Sequence, residues 1–159
     1  PRRITLSTVG IVPAIRRLAG EPHPIKLAVS MHAATDALRT QLIPINRRYP
    51  LDDLFDALRF YTQKTHQRIF FEWLLLKDIN DTLEQAEALA ARMETLPSHV
   101  NLIRLNPTPQ FDGETTAGHA LERFTTVLDA HNIPHTLRQR RGGEIAAGCG
   151  QLRARLTES

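Results

Sequence analysis

The sequence predicts an α/β protein in which parallel strands form an open or incomplete (β/α) barrel with the helices outside. Strand-like and helix-like segments alternate along the 159 residues with short connections, as in βαβ units with right-handed crossovers. The run Ile25–Ser30 is apolar enough to be buried on both faces, as strands of parallel sheets are. Five strands can be counted, which is enough for part of a barrel and too few to close one.

The first half of the chain contains two of these strands. Residues 3–9 are rich in β-branched side chains and stop at Gly10, and residues 25–30 form the second strand. Between and after them, apolar residues recur at helical spacing. The predicted helices are residues 12–19, residues 36–42 (ending before Pro44) and residues 51–64 (with Asp52 and Asp53 in the first turn, where the helix dipole favours acidic groups).

The second half contains three strands and two helices. The strands are predicted at residues 68–76, 100–105 and 134–138. The helix at residues 83–96 has the best helical pattern in the chain and is preceded by two capping candidates, Asp81 and Thr82. A loop rich in Pro, Gly and Thr separates the strand at 100–105 from the last helix, at residues 120–130.

Composition excludes several classes of protein. The single cysteine, Cys149, rules out an intramolecular disulfide and an all-cysteine metal site, so we expect a reducing, cytoplasmic setting. No apolar run approaches the roughly 18 residues of a membrane span, so no membrane association is expected. The chain lacks an initiator Met and opens directly into a strand, so we expect it to be a piece of a longer protein.

Polar residues gather where the predicted strands end, which is where parallel α/β folds bind ligands. Ser7 and Thr8 end the first strand, Ser30 and His32 the second, and Asn106 the fourth. Ordinary helix caps and strand ends also collect such residues, so this pattern alone leaves the structural and functional interpretations open.

The C-terminal residues are basic and surround the cysteine. The net charge is +3, and arginines are concentrated in the last 25 residues, which suits a phosphate backbone as well as a solvated tail. These arginines are Arg138, Arg140, Arg141, Arg153 and Arg155. Cys149 lies between Gly148 and Gly150, a setting that suits an accessible, reactive thiol, whereas a lone cysteine is commonly a small buried residue, so both interpretations stay open.

Five motifs stand in order along the chain. They are Ser7-Thr8-Val9-Gly10, the segment 28–33 around Ser30-Met31-His32, the run 44–51, Val100-Asn101-Leu102-Ile103 with Asn106-Pro107, and Cys149-Gly150-Gln151-Leu152. With these motifs the chain resembles the RlmN/Cfr family of radical S-adenosylmethionine methyltransferases, with the RlmN branch the more similar one. The family methylates an adenine of 23S rRNA and, in the RlmN branch, of certain tRNAs. The resemblance covers nearly the whole chain and implies a radical S-adenosylmethionine type of barrel.

The resemblance implies a role for each matching residue. Ser7, the triplet Ser30, Met31 and His32, and Asn106 match residues that bind S-adenosylmethionine. Cys149 matches the cysteine that first accepts a methyl group from one S-adenosylmethionine. A radical generated from a second S-adenosylmethionine then abstracts hydrogen from that methyl, and the resulting carbon radical adds to adenine at C2. Residues 1–159 would form the C-terminal part of the barrel domain, with residues 139–159 as a basic tail that carries the cysteine.

Several family features are absent or altered in this sequence. The family's cysteines for a 4Fe–4S iron–sulfur cluster, spaced CxxxCxxC, belong upstream, as does its N-terminal RNA-binding region. Without cluster ligands no electron can pass from an electron donor to S-adenosylmethionine. We therefore expect the isolated chain to be inactive and to hold no metal. Met31 replaces a usual Leu, and Arg104 replaces a frequent Pro.

Three alternatives stay open on the sequence. The chain could be a non-catalytic RNA- or partner-binding module, although retention of Ser7, Ser30, Asn106 and Cys149 together argues against it. It could belong to the Cfr branch, which methylates adenine C8. A stand-alone small-molecule enzyme is disfavoured because no nucleophile–base pair or phosphate-binding glycine loop is found.

Overall fold

The strands form one parallel sheet in which the order in space follows the order in sequence. The structure is a computed structural model that describes residues 4–23, 25–106 and 114–141, with only the backbone for residues 140 and 141. The five strands are β1 (Ile4–Thr8), β2 (Ile25–Ser30), β3 (Ile69–Leu75), β4 (Ser98–Asn106) and β5 (His135–Arg141). The helices are α1 (Val12–Leu18), α2 (Asp36–Leu42), α3 (Leu51–Thr65), α4 (Leu83–Met93) and α5 (Gly118–Ala130), with a 3₁₀ turn at Pro44–Arg47.

This strand order explains why the fold is part of a barrel. Each new strand is added on the same side of the last one, and right-handed crossovers then carry the connecting helices to one face of the sheet. The main hydrophobic core lies between that face and helices α1, α3, α4 and α5. The other face lies on the inside of the barrel, so the predicted incomplete (β/α) barrel is confirmed.

Large aromatic and aliphatic side chains fill the core between sheet and helices. Phe55 of α3 stacks on Phe71 of β3 with ring centroids 5.6 Å apart, and Phe124 of α5 packs at 5.5 Å from Trp73. All four rings are at most 1% exposed. Burial of such side chains is worth roughly 1.5–3 kcal/mol each, so this layer fixes the helices on the sheet.

The inner face of the sheet carries a second, smaller apolar cluster near the carboxyl ends of the strands. Leu74 of β3 and Ile103 of β4 pack there against Leu42 and Ile43, at the end of α2. Helix α2 and the following 3₁₀ turn therefore cover part of the inner face, next to the strand ends.

Strand β1 forms one edge of the sheet. Among the described residues it pairs with β2 alone, with Ile4 opposite Ile25 and Thr8 opposite Val29. Ile4 is 55% exposed and Leu6 41% exposed. The described helices thus leave the apolar side of this strand open.

Several element boundaries differ from the sequence-based prediction, and three of them bear on the site or the tail. Strand β4 begins at Ser98, because Ser98 and His99 pair with β3 although they are polar. Strand β5 extends to Arg141, because residues 139–141 continue the pairing with β4, so the predicted basic tail begins inside a strand. Helix α4 ends at Met93, earlier than predicted. No helix in the described part of the chain is both long and apolar enough to cross a lipid bilayer.

Candidate functional site

The predicted cofactor residues lie along one edge of the sheet. In a parallel sheet all strands run in the same direction, so the ends of β1, β2 and β4 meet at a common edge. Ser7 lies opposite Ala28, and Ser30 follows two residues later on β2, so alternation places Ser7 and Ser30 on the same, inner face. The structure therefore places these two hydroxyls on one face of neighbouring strands, two residues apart in the register.

Ser7 and Thr8, predicted as a pair, have different surroundings. The Thr8 hydroxyl accepts hydrogen bonds from the backbone N–H groups of Gly10 at 3.1 Å and Ile11 at 3.4 Å, so it caps the turn into α1. Ser7 is exposed, and its hydroxyl makes no hydrogen bond with any residue that the structure describes. Thr8 therefore shapes the turn, whereas Ser7 keeps its donor and acceptor for a ligand.

The loop that follows Ser30 is buried and held by side chains from two helices, α2 and α4, and by Asn80. This β2–α2 loop, residues 31–35, contains four residues that are at most 4% exposed. The Gln85 side chain accepts from Ala34 N–H at 2.8 Å, and Arg92 Nε donates to Ala34 O at 3.1 Å. From the other side, Arg39 donates to Met31 O. The loop is thus a rigid platform despite its lack of regular structure.

His32 is fixed within this loop by neighbours from the end of β3. Its backbone is left-handed, with φ of 56°. Its Nδ1 accepts a hydrogen bond from Leu74 N–H at 2.9 Å, and its carbonyl accepts from Asn80 Nδ2 at 2.8 Å. Burial, together with the charge of Arg39, lowers the pKa of His32 to about 4. The ring is therefore neutral near pH 7, with its proton on Nε2.

The side chain of Met31 points into the main hydrophobic core and is fully buried. Its backbone is also engaged, since Met31 N–H donates to Glu72 O at 3.0 Å and Met31 O accepts from Arg39 Nε at 3.3 Å. Met31 therefore sets the path of the β2–α2 loop, with its side chain in the core.

Asn106 lies at the same edge of the sheet as Ser7 and Ser30 but on the other face. Alternation along β4 places Asn106 with Val100 and Leu102, whose side chains pack in the main core. Its Nδ2 donates to Gln139 Oε1 on β5 at 3.3 Å. The structure therefore does not place the Asn106 side chain beside the two serines.

Arg104, which replaces a frequent Pro of the family that the sequence resembles, secures the segment before α5. Its Nε and Nη2 donate to Thr116 O at 3.2 and 2.8 Å. Thr116 is 1% exposed. The guanidinium thus ties residues 114–117 to β4, next to the carboxyl edge.

Sequence reasoning missed two polar residues on the inner face. Glu72 lies opposite both Ser30 and Asn101 in the register of β2, β3 and β4, and its Oε1 accepts from Asn101 Nδ2 at 2.9 Å. Together these side chains form a polar row beside Ser30. The available signal was a single acidic residue between Phe71 and Trp73, in an otherwise apolar strand.

Two buried polar residues that fix the site were also missed. Asn80 is fully buried and bonds Leu76 N–H, Leu74 O and His32 O, which ties the end of β3 to the β2–α2 loop. Arg39 is fully buried and bonds the ends of β1 and β2. Their partners are distant in sequence or unpatterned, so no local signal identifies them.

Neither a metal centre nor the predicted methyl acceptor falls in the described region. Among the residues that the structure describes, no group of three or more His, Cys, Asp or Glu side chains could hold a metal ion. Cys149 lies outside the described residues. A shallow cavity of about 250 Å³, lined by residues that include Arg68, Ser98 and Pro134, lies where β3, β4 and β5 begin, away from the candidate site.

Comparison with known proteins identifies the family. No family model matches the chain. The chain is 54% identical to the dual-specificity RNA methyltransferase RlmN 1 of Myxococcus xanthus over 154 residues, which are 97% of this chain and 43% of that protein. It is 50% identical to the probable dual-specificity RNA methyltransferase RlmN 2 of Opitutus terrae, over 94% of this chain and 35% of that protein. The chain belongs to the RlmN family. It spans less than half the length of these RlmN relatives, in their C-terminal part.

Solved structures agree with this assignment. A radical SAM methyltransferase from Sphaerobacter thermophilus superposes with a TM-score of 0.84 at 49% identity, over 94% of this chain and 44% of that one. A domain of a pyruvate-formate lyase-activating enzyme from Bacteroides vulgatus superposes with a TM-score of 0.64 at 10% identity. The second similarity supports the fold alone. The incomplete (β/α) barrel of the radical S-adenosylmethionine type that the sequence predicts is thus also the fold of these solved structures.

Proposed function

We propose that the complete protein containing this chain is a radical S-adenosylmethionine methyltransferase that methylates adenine C2 in 23S rRNA and tRNA through a methylated Cys149. The observation that carries the proposal is the 54% identity, over 97% of this chain, to a protein named as a dual-specificity RNA methyltransferase. The exposed hydroxyl of Ser7 and the half-buried one of Ser30, on one face of the carboxyl edge, support a ligand site in this part of the fold.

The residues present suit S-adenosylmethionine as a ligand. Its amino acid and ribose groups require hydrogen-bond donors and acceptors, and its adenine requires an apolar surface. Ser7 and Ser30 supply hydroxyls that no described residue engages, and the Glu72–Asn101 pair adds a carboxylate and an amide to the same face. The apolar cluster around Leu74 and Ile103 adjoins them. We infer that Ser7, Ser30 and the β2–α2 loop would hold the cofactor, with Asn106 at the rim.

The chain's own residues would act mainly by positioning. The β2–α2 loop is held from several sides and need not become ordered when a ligand binds, which reduces the free-energy cost of binding. His32 is neutral near pH 7, so it would serve as a hydrogen-bonding and packing group and not as a source of protons. When bound, S-adenosylmethionine supplies the methyl groups and the radical chemistry.

The chain does not supply ligands for a 4Fe–4S cluster. A cluster of this type is held by several cysteine thiolates, and the sequence has one cysteine, Cys149. We therefore assign no step of the reaction to a cluster bound by these residues. The cluster and its electron donor belong to our proposal for the complete protein.

The proposal is tested with the complete protein, purified with its cluster and incubated without oxygen with S-adenosylmethionine, an electron donor for the cluster and either a 23S rRNA fragment or a tRNA transcript. Digestion and mass spectrometry of the nucleosides should detect 2-methyladenosine. Detection of 8-methyladenosine would instead support the Cfr-like branch, and the absence of methylation with an intact cluster would support the binding-module alternative.

The role of Cys149 is tested separately. We expect Cys149→Ala to abolish transfer to RNA while S-adenosylmethionine binding stays nearly unchanged. Peptide mass spectrometry of the unmutated protein, incubated without RNA, should find a methyl group on Cys149. Loss of cofactor binding in the alanine variant would count against the methyl-carrier role.

A further inference from the structure

Arg39 is a fully buried arginine between the ends of two strands. Its Nη2 donates to Val9 O at 2.8 Å and to Ser30 O at 3.1 Å, and its Nε donates to Met31 O at 3.3 Å. Val9 directly follows β1, whereas Ser30 ends β2. One guanidinium therefore connects the two chain segments that carry Ser7 and the β2–α2 loop.

The fourth bond of Arg39 links it to a supporting network. Its Nη1 donates to Asn46 Oδ1 at 3.0 Å, and Asn46 Nδ2 donates to Asp36 Oδ1 at 2.9 Å. Asp36 also accepts from Leu51 N–H at 2.9 Å. The acidic group thus reaches Arg39 through an amide, and every direct partner of the guanidinium is a carbonyl oxygen.

These contacts are poorly explained by stability alone. Burial lowers the pKa of Arg39 to about 10, against the opposing charge of Asp36, so the group is still positive near pH 7. A buried charge without a directly bonded carboxylate is costly, and a packed apolar side chain would often serve stability as well. The planar fork of donors on arginine offers what an apolar residue cannot, since it sets the distance between several carbonyls at once.

We propose that Arg39 is a positioning residue for the cofactor site, which fixes the spacing between the end of β1 with Ser7 and the end of β2 with Ser30 and His32. The role rests on the proposed function in so far as these residues hold S-adenosylmethionine. Gly10 supports it, because a Cβ at Gly10 would lie 3.3 Å from Arg39 Nη2, so the turn after β1 is closely fitted to the guanidinium.

The test uses the complete protein and S-adenosylmethionine as the probe. Arg39→Lys keeps the charge but cannot donate to three separate carbonyls in one plane. Isothermal titration calorimetry should show a Kd about tenfold higher, as expected for the loss of one or two good hydrogen bonds. In turnover, KM for S-adenosylmethionine should rise with little change in kcat. The matched control is Arg59→Lys, because Arg59 lies on α3 and its side chain contacts Asp56 at the surface. This control should leave Kd unchanged.

Two further variants separate positioning from general destabilisation. Leu128→Ala truncates the core at α5, away from the carboxyl edge, and should lower the melting temperature while leaving Kd unchanged. Asn46→Ala removes one of the four partners of Arg39 and should raise Kd by a smaller factor than Arg39→Lys. If Arg39→Lys does not fold, the Kd of Asn46→Ala tests the positioning role in its place.

Three outcomes would overturn the inference or its premise. An unchanged Kd in folded Arg39→Lys would refute the positioning role. So would an equal rise of Kd in Leu128→Ala, because the effect would then follow stability alone. Failure of the unmutated protein to bind S-adenosylmethionine would refute the proposed function instead, which keeps the two results distinct.

Discussion

Nδ1 of His32 accepts a hydrogen bond from the backbone N–H of Leu74 at 2.9 Å. The bond joins the loop after β2 to the carboxyl end of β3 and requires an unprotonated Nδ1. Because the folded-state pKa of His32 is about 4 and the ordinary value is 6.5, the unfolded chain binds more protons than the folded one between these values. Stability from this histidine is therefore complete above about pH 6.5 and is lost as the pH falls toward 4.

His32→Asn should reduce the pH dependence of stability between pH 7 and pH 4. The contribution of His32 over this range is at most about 3 kcal/mol. Asn tolerates the left-handed backbone that His32 adopts. The measurement is the melting temperature of the complete protein against pH. His66→Asn is the matched control, because His66 is exposed and has a φ of 54°. Parallel profiles for the unmutated and His32→Asn proteins would contradict the assignment.

Asn80→Asp should destabilise the fold more than Asn80→Ala. Asn80 Nδ2 donates to the carbonyls of His32 and Leu74, and a carboxylate would place an oxygen against both. We expect a loss of about 3 kcal/mol or more from the unfolding free energy, measured by urea denaturation of the complete protein. Asn132→Asp, at an exposed position, should change it little. Equal effects at the two sites would mean that the Asn80 bonds do not matter.

Ser7→Ala and Thr8→Ala should have opposite consequences although the residues are adjacent. The Thr8 hydroxyl accepts two backbone hydrogen bonds in the turn before α1, so its loss should lower stability by about 1 kcal/mol. Ser7 makes no described hydrogen bond, so its loss should spare stability and raise the Kd for S-adenosylmethionine. Thermal denaturation and calorimetric titration of both variants test this. A Ser7→Ala protein that binds the cofactor normally would remove Ser7 from the site.

Gly10→Ala should be destabilising, whereas Gly118→Ala should be neutral or stabilising. Gly10 has a φ of 104°, and a Cβ there would lie 3.3 Å from Arg39 Nη2 and from both terminal methyls of Leu54. We expect a cost of about 2 kcal/mol. Gly118 begins α5 and has no atom within 4 Å of such a Cβ, so Ala should add up to about 1 kcal/mol. Chemical denaturation of both variants distinguishes strain from a general glycine effect.

The sequence predicted the sheet well because each strand carries its own local signal. Strand β2 and helix α2 have the predicted boundaries, since their ends are marked by Ser30 and by Pro44 beyond Ile43. Strand β5 was predicted too short because Gln139 and the arginines beside it lack apolar alternation. Their pairing is decided by β4 alongside them, which is tertiary information.

The candidate site was predicted in part. Ser7 and Ser30 were placed correctly at the ends of strands, because parallel strands bring such residues to one edge. The engagement of His32 with Leu74, 42 positions away, has no local pattern. In the sequence, Arg39 resembles an ordinary exposed polar residue of a short helix. Its burial and its carbonyl partners are seen only in the folded chain.

The exposed flank of β1 has a consequence for handling the protein. On the side away from β2, the backbone of β1 offers N–H and C=O groups that no described strand engages, beside the apolar Ile4 and Leu6. Such an edge is a template for any extended chain nearby, including another copy. Wherever this edge is left uncovered, the protein should aggregate as its concentration rises. A lysine at Leu6 would then improve solubility while leaving the helices, the β2–α2 loop and Arg39 untouched.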